Sequence, residues 1–168
     1  RVLFRSVLAE RVEDVVRMPA DLDALSAHLA AALPAGALPE AVDMPGPTGE
    51  SNRLRLAPRA PVLCLGPGEG AEALQLAAVN ALGGVAVKAG GAVPDEWLTA
   101  AEGFSGVLWW GDARSARGFA TALAARQGPI LPLITEQPDL AHVWFEQHLC
   151  VDTTASGGNA QLLAAVLG

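Results

Sequence analysis

The turn Gly66-Pro67-Gly68-Glu69-Gly70-Ala71 carries the most specific chemical suggestion in this chain. It follows the apolar run Val62–Leu65 and opens a helical pattern, so it matches the G-x-G-x-x-G/A turn. In that turn, glycines let backbone N–H groups approach a pyrophosphate at a helix N-terminus. The next apolar run ends in Lys88, where the fingerprint wants an acidic residue for the ribose hydroxyls. Gly66, Gly68 and Lys88 are therefore the candidate nucleotide-binding residues. Glu69 places a negative charge where phosphate would sit, and Pro67 removes a donor. A tight strand-to-helix turn with no ligand accounts for the same residues.

A second constellation is His142, Glu146, His148, Cys150 and Asp152, read as the polar face of a strand. These are metal-ligand types, but alternate strand residues stand about 7 Å apart, so a third ligand would have to come from elsewhere. A solvated polar face explains the pattern as well, and no metal site is assigned. His148 near Cys150 suggests an activated thiolate, yet nothing supplies the third partner of a dyad. No G-x-S-x-G, H-E-x-x-H or G-x-x-x-x-G-K-[ST] motif occurs, so no catalytic residue is assigned. His28 sits among Leu and Ala as the polar side of a helix. Trp109-Trp110 ends an apolar run, where opposed rings usually serve core packing and less often stack on a ligand.

The elements that must position these residues alternate. Asp21 can cap a helix whose apolar positions are Leu22, Leu25, Leu29, Ala32 and Leu33, stopped by Pro34. A Pro- and Gly-rich stretch to Gly49 reads as an extended linker. Arg53–Leu56 alternates, as an exposed or edge strand does. Val62–Leu65 follows as a buried strand, then a helix with the stripe Leu74, Ala77, Ala78, Ala81 and Leu82. Val85–Val87 is a strand, Asp95–Glu102 a short helix and Val107–Trp110 a strand. Asp112 caps a helix with the stripe Ala116, Phe119, Ala120 and Leu123. Ile130–Ile134 is a strand that Pro132 pushes to a sheet edge. This order predicts an α/β fold with a Rossmann-like, mainly parallel sheet and flanking helices. His142–Asp152, with Val143, Phe145, Leu149 and Val151 on one face, reads as a half-exposed antiparallel strand or β-flap. Asn159 can cap a short C-terminal helix over Ala160–Leu167.

The chain has 168 residues, 18 acidic and 11 basic, for a net charge of −7. Lys88 is its one lysine, so no basic stripe exists to neutralise phosphates, and a nucleic-acid partner is not expected. At 51% hydrophobic and 17% charged the composition is that of a folded chain. No run reaches the roughly 20 apolar residues of a membrane span. Two distant cysteines, Cys64 and Cys150, form no disulfide framework, and a cytoplasmic location is expected. Residues 1–6 (RVLFRS) fit no element. They match the translation of a common sequencing adapter and are read as non-native, which makes the chain the tail of a longer protein; an ordinary amphipathic start is the alternative.

Two stretches carry a family resemblance. Leu149-Cys150-Val151-Asp152-Thr153-Thr154-Ala155-Ser156-Gly157-Gly158-Asn159-Ala160 resembles the C-terminal V-[ND]-T-x-A-x-G-G-N-A motif of the proline utilization A family. Gly46-Pro47-Thr48-Gly49-Glu50-Ser51-Asn52, followed by Val62-Leu63-Cys64-Leu65, is similar to the G-P-T-G-E-x-N … V-L-C-L stretch of its longer members. Together with the alternating α/β pattern between them, the resemblance covers roughly residues 7–168.

The resemblance implies a parent that is a bifunctional enzyme of proline catabolism. A FAD-dependent proline dehydrogenase feeds an NAD-dependent L-glutamate γ-semialdehyde dehydrogenase through an internal tunnel. This piece would be the extra C-terminal aldehyde-dehydrogenase-superfamily domain plus the terminal motif. Val85-Ala86-Val87-Lys88-Ala89-Gly90-Gly91-Ala92-Val93-Pro94 is similar to the V-V-x-K-P-x-E-x-T-P segment that holds adenosine ribose. Lys88 is kept, and the Pro and Glu are replaced by Ala89 and Gly91. Neither cysteine matches the G-Q-x-C nucleophile loop. The implied organisation is a helical connector and Pro-rich linker (7–45), a Rossmann-like domain (46–140), a β-flap (141–154) and the C-terminal motif (155–168). Asp152, Thr153, Thr154, Gly157, Gly158 and Asn159 would form the lid against the parent's catalytic aldehyde dehydrogenase domain. The expected role is a non-catalytic structural one that stabilises the dehydrogenase site and seals the tunnel. No cofactor is expected in the piece itself, and FAD and NAD in the parent. The parent is expected to be a homo-oligomer, with peripheral membrane association left open. The alternative is a nucleotide-binding or regulatory Rossmann domain.

Overall fold

A computed structural model of the chain describes residues 18–35 and 38–152. They form a mixed α/β structure in two compact units, residues 18–34 with 59–143 and residues 35–58 with 144–152. The expected helix over Ala160–Leu167 and the RVLFRS residues lie outside the described residues.

The first unit is built on four parallel strands, β3 (Val62–Cys64), β4 (Ala86–Lys88), β5 (Gly106–Leu108) and β6 (Leu133–Ile134), in the order β4-β3-β5-β6. Helix α2 (Gly68–Ala81) carries the chain from β3 outward to β4. The short α3 (Asp95–Ala100) returns it to β5, and α4 (Ala113–Ala124) takes it on to β6 on the other side. The order in which strands are added therefore reverses between β3 and β5, at the C-terminal ends of those strands. β6 is an edge strand, as expected, but it is shorter than the expected Ile130–Ile134, since Pro132 lies just before it and not inside it.

Side chains alternate across the sheet, so Leu63, Leu65, Val87, Val107 and Trp109 fall in one cluster with Leu98 of α3 and Phe119 and Leu123 of α4. Helix α1 (Leu22–Ala31) adds Leu25 and Leu29 to the same core. Asp21 Oδ1 accepts the Ala24 N–H at 3.0 Å, which is the expected cap. Trp109 and Phe119 cross edge to face with ring centroids 5.2 Å apart. Burying each of these large apolar side chains contributes about 1.5–3 kcal/mol.

Two helices present a different face from the expected one. α2 buries Glu72, Gln75 and Val79, and leaves Leu74 56% exposed. The i, i+3, i+7 spacing of the buried set is as helical as that of the Leu74 stripe, and polar groups on the adjoining turns select it. α4 buries Phe119, Ala122 and Leu123, and Ala120 faces outward.

The second unit is an antiparallel sheet in the order β1-β2-β7, formed by β1 (Val42–Met44), β2 (Glu50–Pro58) and β7 (Trp144–Asp152). β1 falls inside the stretch expected to be a linker. β2 is the central strand and not an edge, because it pairs with β1 on one side and along its whole length with β7 on the other. Arg55 Nε donates to Gln147 Oε1 at 2.9 Å across that pair, and Arg53 Nε donates to Asp43 Oδ1 at 3.1 Å. Residues 140–143 form a one-turn helix, α5 (Leu140–Val143), so His142 is not in the strand. Asp139 explains this, since its carboxylate accepts the Ala141 N–H at 3.0 Å and caps the turn.

Candidate functional site

The Gly-rich turn lies where the parallel sheet changes direction. Gly66 has φ +92°, and a Cβ there would stand 2.5 Å from the Gly68 nitrogen, so only glycine makes this turn. Gly68 follows at φ +74° as the first residue of α2. The structure thus brings Gly66 and Gly68 together at a helix N-terminus behind a parallel strand, as the motif requires.

The hydrogen-bonding groups of Gly66, however, are taken up by the protein itself. Its N–H donates to Gln75 Oε1 at 3.0 Å, and its carbonyl accepts from Gln75 Nε2 at 2.8 Å and from the Trp110 N–H at 3.0 Å. Gln75 is 0% exposed. One turn earlier on α2, Glu72 is 2% exposed and its Oε2 accepts the Gly90 N–H at 3.3 Å, just beyond β4. Sequence reasoning missed Glu72 and Gln75. Their signal was two polar residues three apart in a helix whose other polar residues, Glu69 and Asn80, stand near its ends, a pattern equally suited to solvent. Glu69 is exposed, as is Lys88 at the end of β4.

Cys64, at the C-terminal end of β3, is fully buried. Burial, and secondarily the charge of Glu72, push its thiol up to about 12. A thiol so held is protonated at neutral pH and is no nucleophile. Trp109 is buried, its Nε1 donating to the Asp112 carbonyl at 3.0 Å, and Trp110 Nε1 donates to the Glu136 carbonyl at 2.9 Å. These rings hold the loops beyond β5 and β6, in keeping with the packing role. Asp112 Oδ1 accepts from Ser115 N at 2.8 Å and Arg114 N at 2.9 Å, and the Ser115 bonds hold its carboxyl below the usual range.

Among the described residues, no group of three or more His, Cys, Asp and Glu side chains could hold a metal ion. His142 lies in α5, with Nδ1 2.8 Å from Asp139 Oδ1. Glu146, His148, Cys150 and Asp152 stand opposite Leu56, Leu54, Asn52 and Glu50 of β2, so the ligand types across the pair are sparse. Asp152 ends β7 and is exposed; Thr153, Thr154, Gly157, Gly158 and Asn159 lie outside the described residues. Open grooves among the described residues include one of about 410 Å³ between α3 and α4 beside Asp95, Thr99 and Arg117, and one of about 230 Å³ beside Leu123, Arg126 and Ile130. Neither adjoins the Gly66 turn. No helix among the described residues is long and apolar enough to cross a membrane.

No protein-family model matches the chain. The bifunctional protein PutA of Escherichia coli (strain K12) is 32% identical over 143 residues, which is 71% of this chain and 11% of that protein. The Salmonella typhimurium protein of the same name is 34% identical over 143 residues, with the same coverage of 71% and 11%. A crystal structure of a mutant of Bradyrhizobium japonicum proline utilization A superposes with a TM-score of 0.43 at 30% identity, covering 56% of this chain and 13% of that one. The chain thus spans about a tenth of the length of the curated relatives it matches.

Proposed function

We propose, taking its homology to a segment of PutA as the premise, that this chain is a non-catalytic structural part of a bifunctional proline-catabolic protein. The parallel-sheet unit serves as an aldehyde-dehydrogenase-superfamily, Rossmann-like body. The antiparallel sheet serves as its β-flap. The terminal motif from Asp152 through Asn159 acts as a lid on the parent's semialdehyde dehydrogenase domain and seals the path of the intermediate. The parent would carry the FAD and NAD, assemble as a homo-oligomer and work in the cytoplasm.

The observation that carries this reading is the alignment of 143 residues at 34% identity. Two features of the structure support the non-catalytic part of it. The thiol in the parallel sheet is held protonated by burial, and the polar groups of Gly66 in the one nucleotide-like turn are engaged by Gln75 and Trp110. The latter also weighs against the nucleotide-binding alternative built on Gly66, Gly68 and Lys88. The test is removal of residues 153–168 from a full-length protein containing this segment, followed by a coupled assay of proline-driven NADH formation. The expected result is slower aldehyde oxidation with intermediate appearing in solution. Unchanged coupled flux with no released intermediate overturns the lid role.

A further inference from the structure

The parallel sheet ends on one side at β4, and an edge strand presents backbone N–H and C=O groups that another chain could pair with. Just beyond β4, Ala92 forms a parallel bridge with Pro19. The Ala92 N–H donates to the Met18 carbonyl at 2.8 Å, and the Ala20 N–H donates to the Ala92 carbonyl at 2.9 Å. Both bonds are made by the residues flanking Pro19, so the bridge needs no N–H from the proline. The N–H that Pro19 lacks belongs to its outer side, where a further strand would pair. The segment thus takes up the edge beyond β4 and leaves a blunted one outside it.

Gly91 makes this approach possible. A Cβ there would stand 2.6 Å from the Met18 oxygen, 2.7 Å from the Ala20 nitrogen and 2.8 Å from the Ala20 Cα. All three are backbone atoms, which cannot rotate aside as the end of a side chain can. Ala20 leads directly into α1, where Asp21 caps the first turn and Leu25 and Leu29 are buried in the core. α1 itself packs against β4. Bridge and helix are therefore consecutive pieces of one segment on one side of the sheet. We propose that Met18–Ala20 and α1 form a single latch, seated on Gly91, that opens and closes on the edge beyond β4 while the sheet stays intact. This inference goes beyond the scaffold role and does not rest on it.

The test is residue-resolved hydrogen exchange on the 168-residue chain, as wild type, Gly91→Ala and Asp21→Ala. In the wild type the Ala20, Leu25 and Ala92 amides should share one opening equilibrium. It should be larger than that of Leu65 and Ala89, whose N–H groups bond Leu108 and Cys64 within the sheet. Gly91→Ala should speed exchange at all three latch amides by at least tenfold and leave Leu65 and Ala89 unchanged. The Asp21 carboxylate makes neither bond of the bridge, yet a single latch requires Asp21→Ala to speed Ala92 severalfold along with Leu25. Should Gly91→Ala fail to fold, the Asp21 variant decides. Unchanged Ala92 exchange in Asp21→Ala overturns the single latch, and unchanged Ala92 exchange in Gly91→Ala overturns the seat. Loss of protection at Leu65 and Ala89 along with the latch amides, in either variant, overturns the claim that the sheet stays intact.

Discussion

Cys64 gives the sharpest check on whether this sheet can do thiol chemistry. Its thiol is raised from the ordinary 9.0 to about 12, by burial first and by Glu72 second. At pH 8 the thiolate fraction is then about 0.01%, against about 10% for the same residue in the unfolded chain, a roughly thousandfold difference in the reactive species. In a Cys150→Ser background, Cys64 is the one remaining thiol, so an aromatic disulfide reagent should label it about a thousandfold more slowly in the native chain than in urea. The same shift makes a stability prediction of definite sign. Because the folded thiol keeps its proton to higher pH than the unfolded one, the contribution is whole below pH 9 and is lost as pH climbs from 9 toward 12. The slope is about 1.4 kcal/mol per pH unit, or about 2 kcal/mol by pH 10.5. The chain has no Tyr and one Lys, so few other groups titrate in that window. Urea unfolding at pH 8, 9.5 and 10.5 measures the slope, and Cys64→Ala should abolish it while lowering the stability at pH 8, so that the deficit narrows as pH rises. Native labelling within tenfold of the unfolded rate, or the same alkaline slope in Cys64→Ala, refutes the reasoning.

Other perturbations have equally definite outcomes. A Cβ at Gly84 would meet Val143 Cγ1 at 2.4 Å and Val143 Cβ at 2.6 Å, a stiff β-branched neighbour, so Gly84→Ala should destabilise by about 1–3 kcal/mol. Adding Val143→Ala should make the pair less than additive in urea unfolding, and strict additivity would count against this contact. Asp112→Ala removes the acceptor of the Arg114 and Ser115 N–H groups and should cost about 0.5–2 kcal/mol at pH 7. The Asp112 carboxyl is held below its ordinary 3.8, so its ionic contribution is present above that pH and is lost as pH falls through the lower folded value. Asp112→Asn, which keeps a side-chain acceptor, should retain most of the pH 7 stability and lose that acid dependence, as unfolding midpoints at pH 7 and pH 3 would show.

What was legible in the sequence is what local physics decides. Asp21 and Asp112 read as caps because the bond they make spans two or three residues, and both make it. Pro132 bounds β6, which begins only after it, because a missing donor is a property of one residue. The alternation of strand and helix gave the parallel sheet, since each crossover needs its own helix. What was not legible depends on distant partners. β1 is three residues among prolines and becomes a strand only through β2. The exposed alternation at Arg53–Leu56 fits an edge or a centre equally well until β7, some ninety residues later, pairs with it. α2 had two faces of equal helical periodicity. The polar one won because Glu72 and Gln75 meet backbone groups on turns that a helical count does not see.

That last reversal bears on what the fold is for. A helix in a parallel α/β unit ordinarily buries an apolar stripe, and α2 instead keeps Leu74 on the outside and spends its inner face on a carboxylate and an amide. Those two groups satisfy Gly66 and Gly90, in the turns beyond β3 and β4, where a dinucleotide would otherwise supply the partners. In the antiparallel sheet the pairing puts Leu54 and Leu56 on the same face as His148 and Glu146, and Leu149 opposite Arg53 on the other. Leu56, Phe145 and Leu149 are all exposed there, so neither face of that sheet is wholly apolar or wholly solvated. A small sheet of this kind gains stability chiefly from what lies on it. A ligand turn engaged from within, a thiol held protonated and a sheet with apolar side chains on both faces together favour a scaffold over a catalyst, and that is the part proposed for this chain within a proline-catabolic protein.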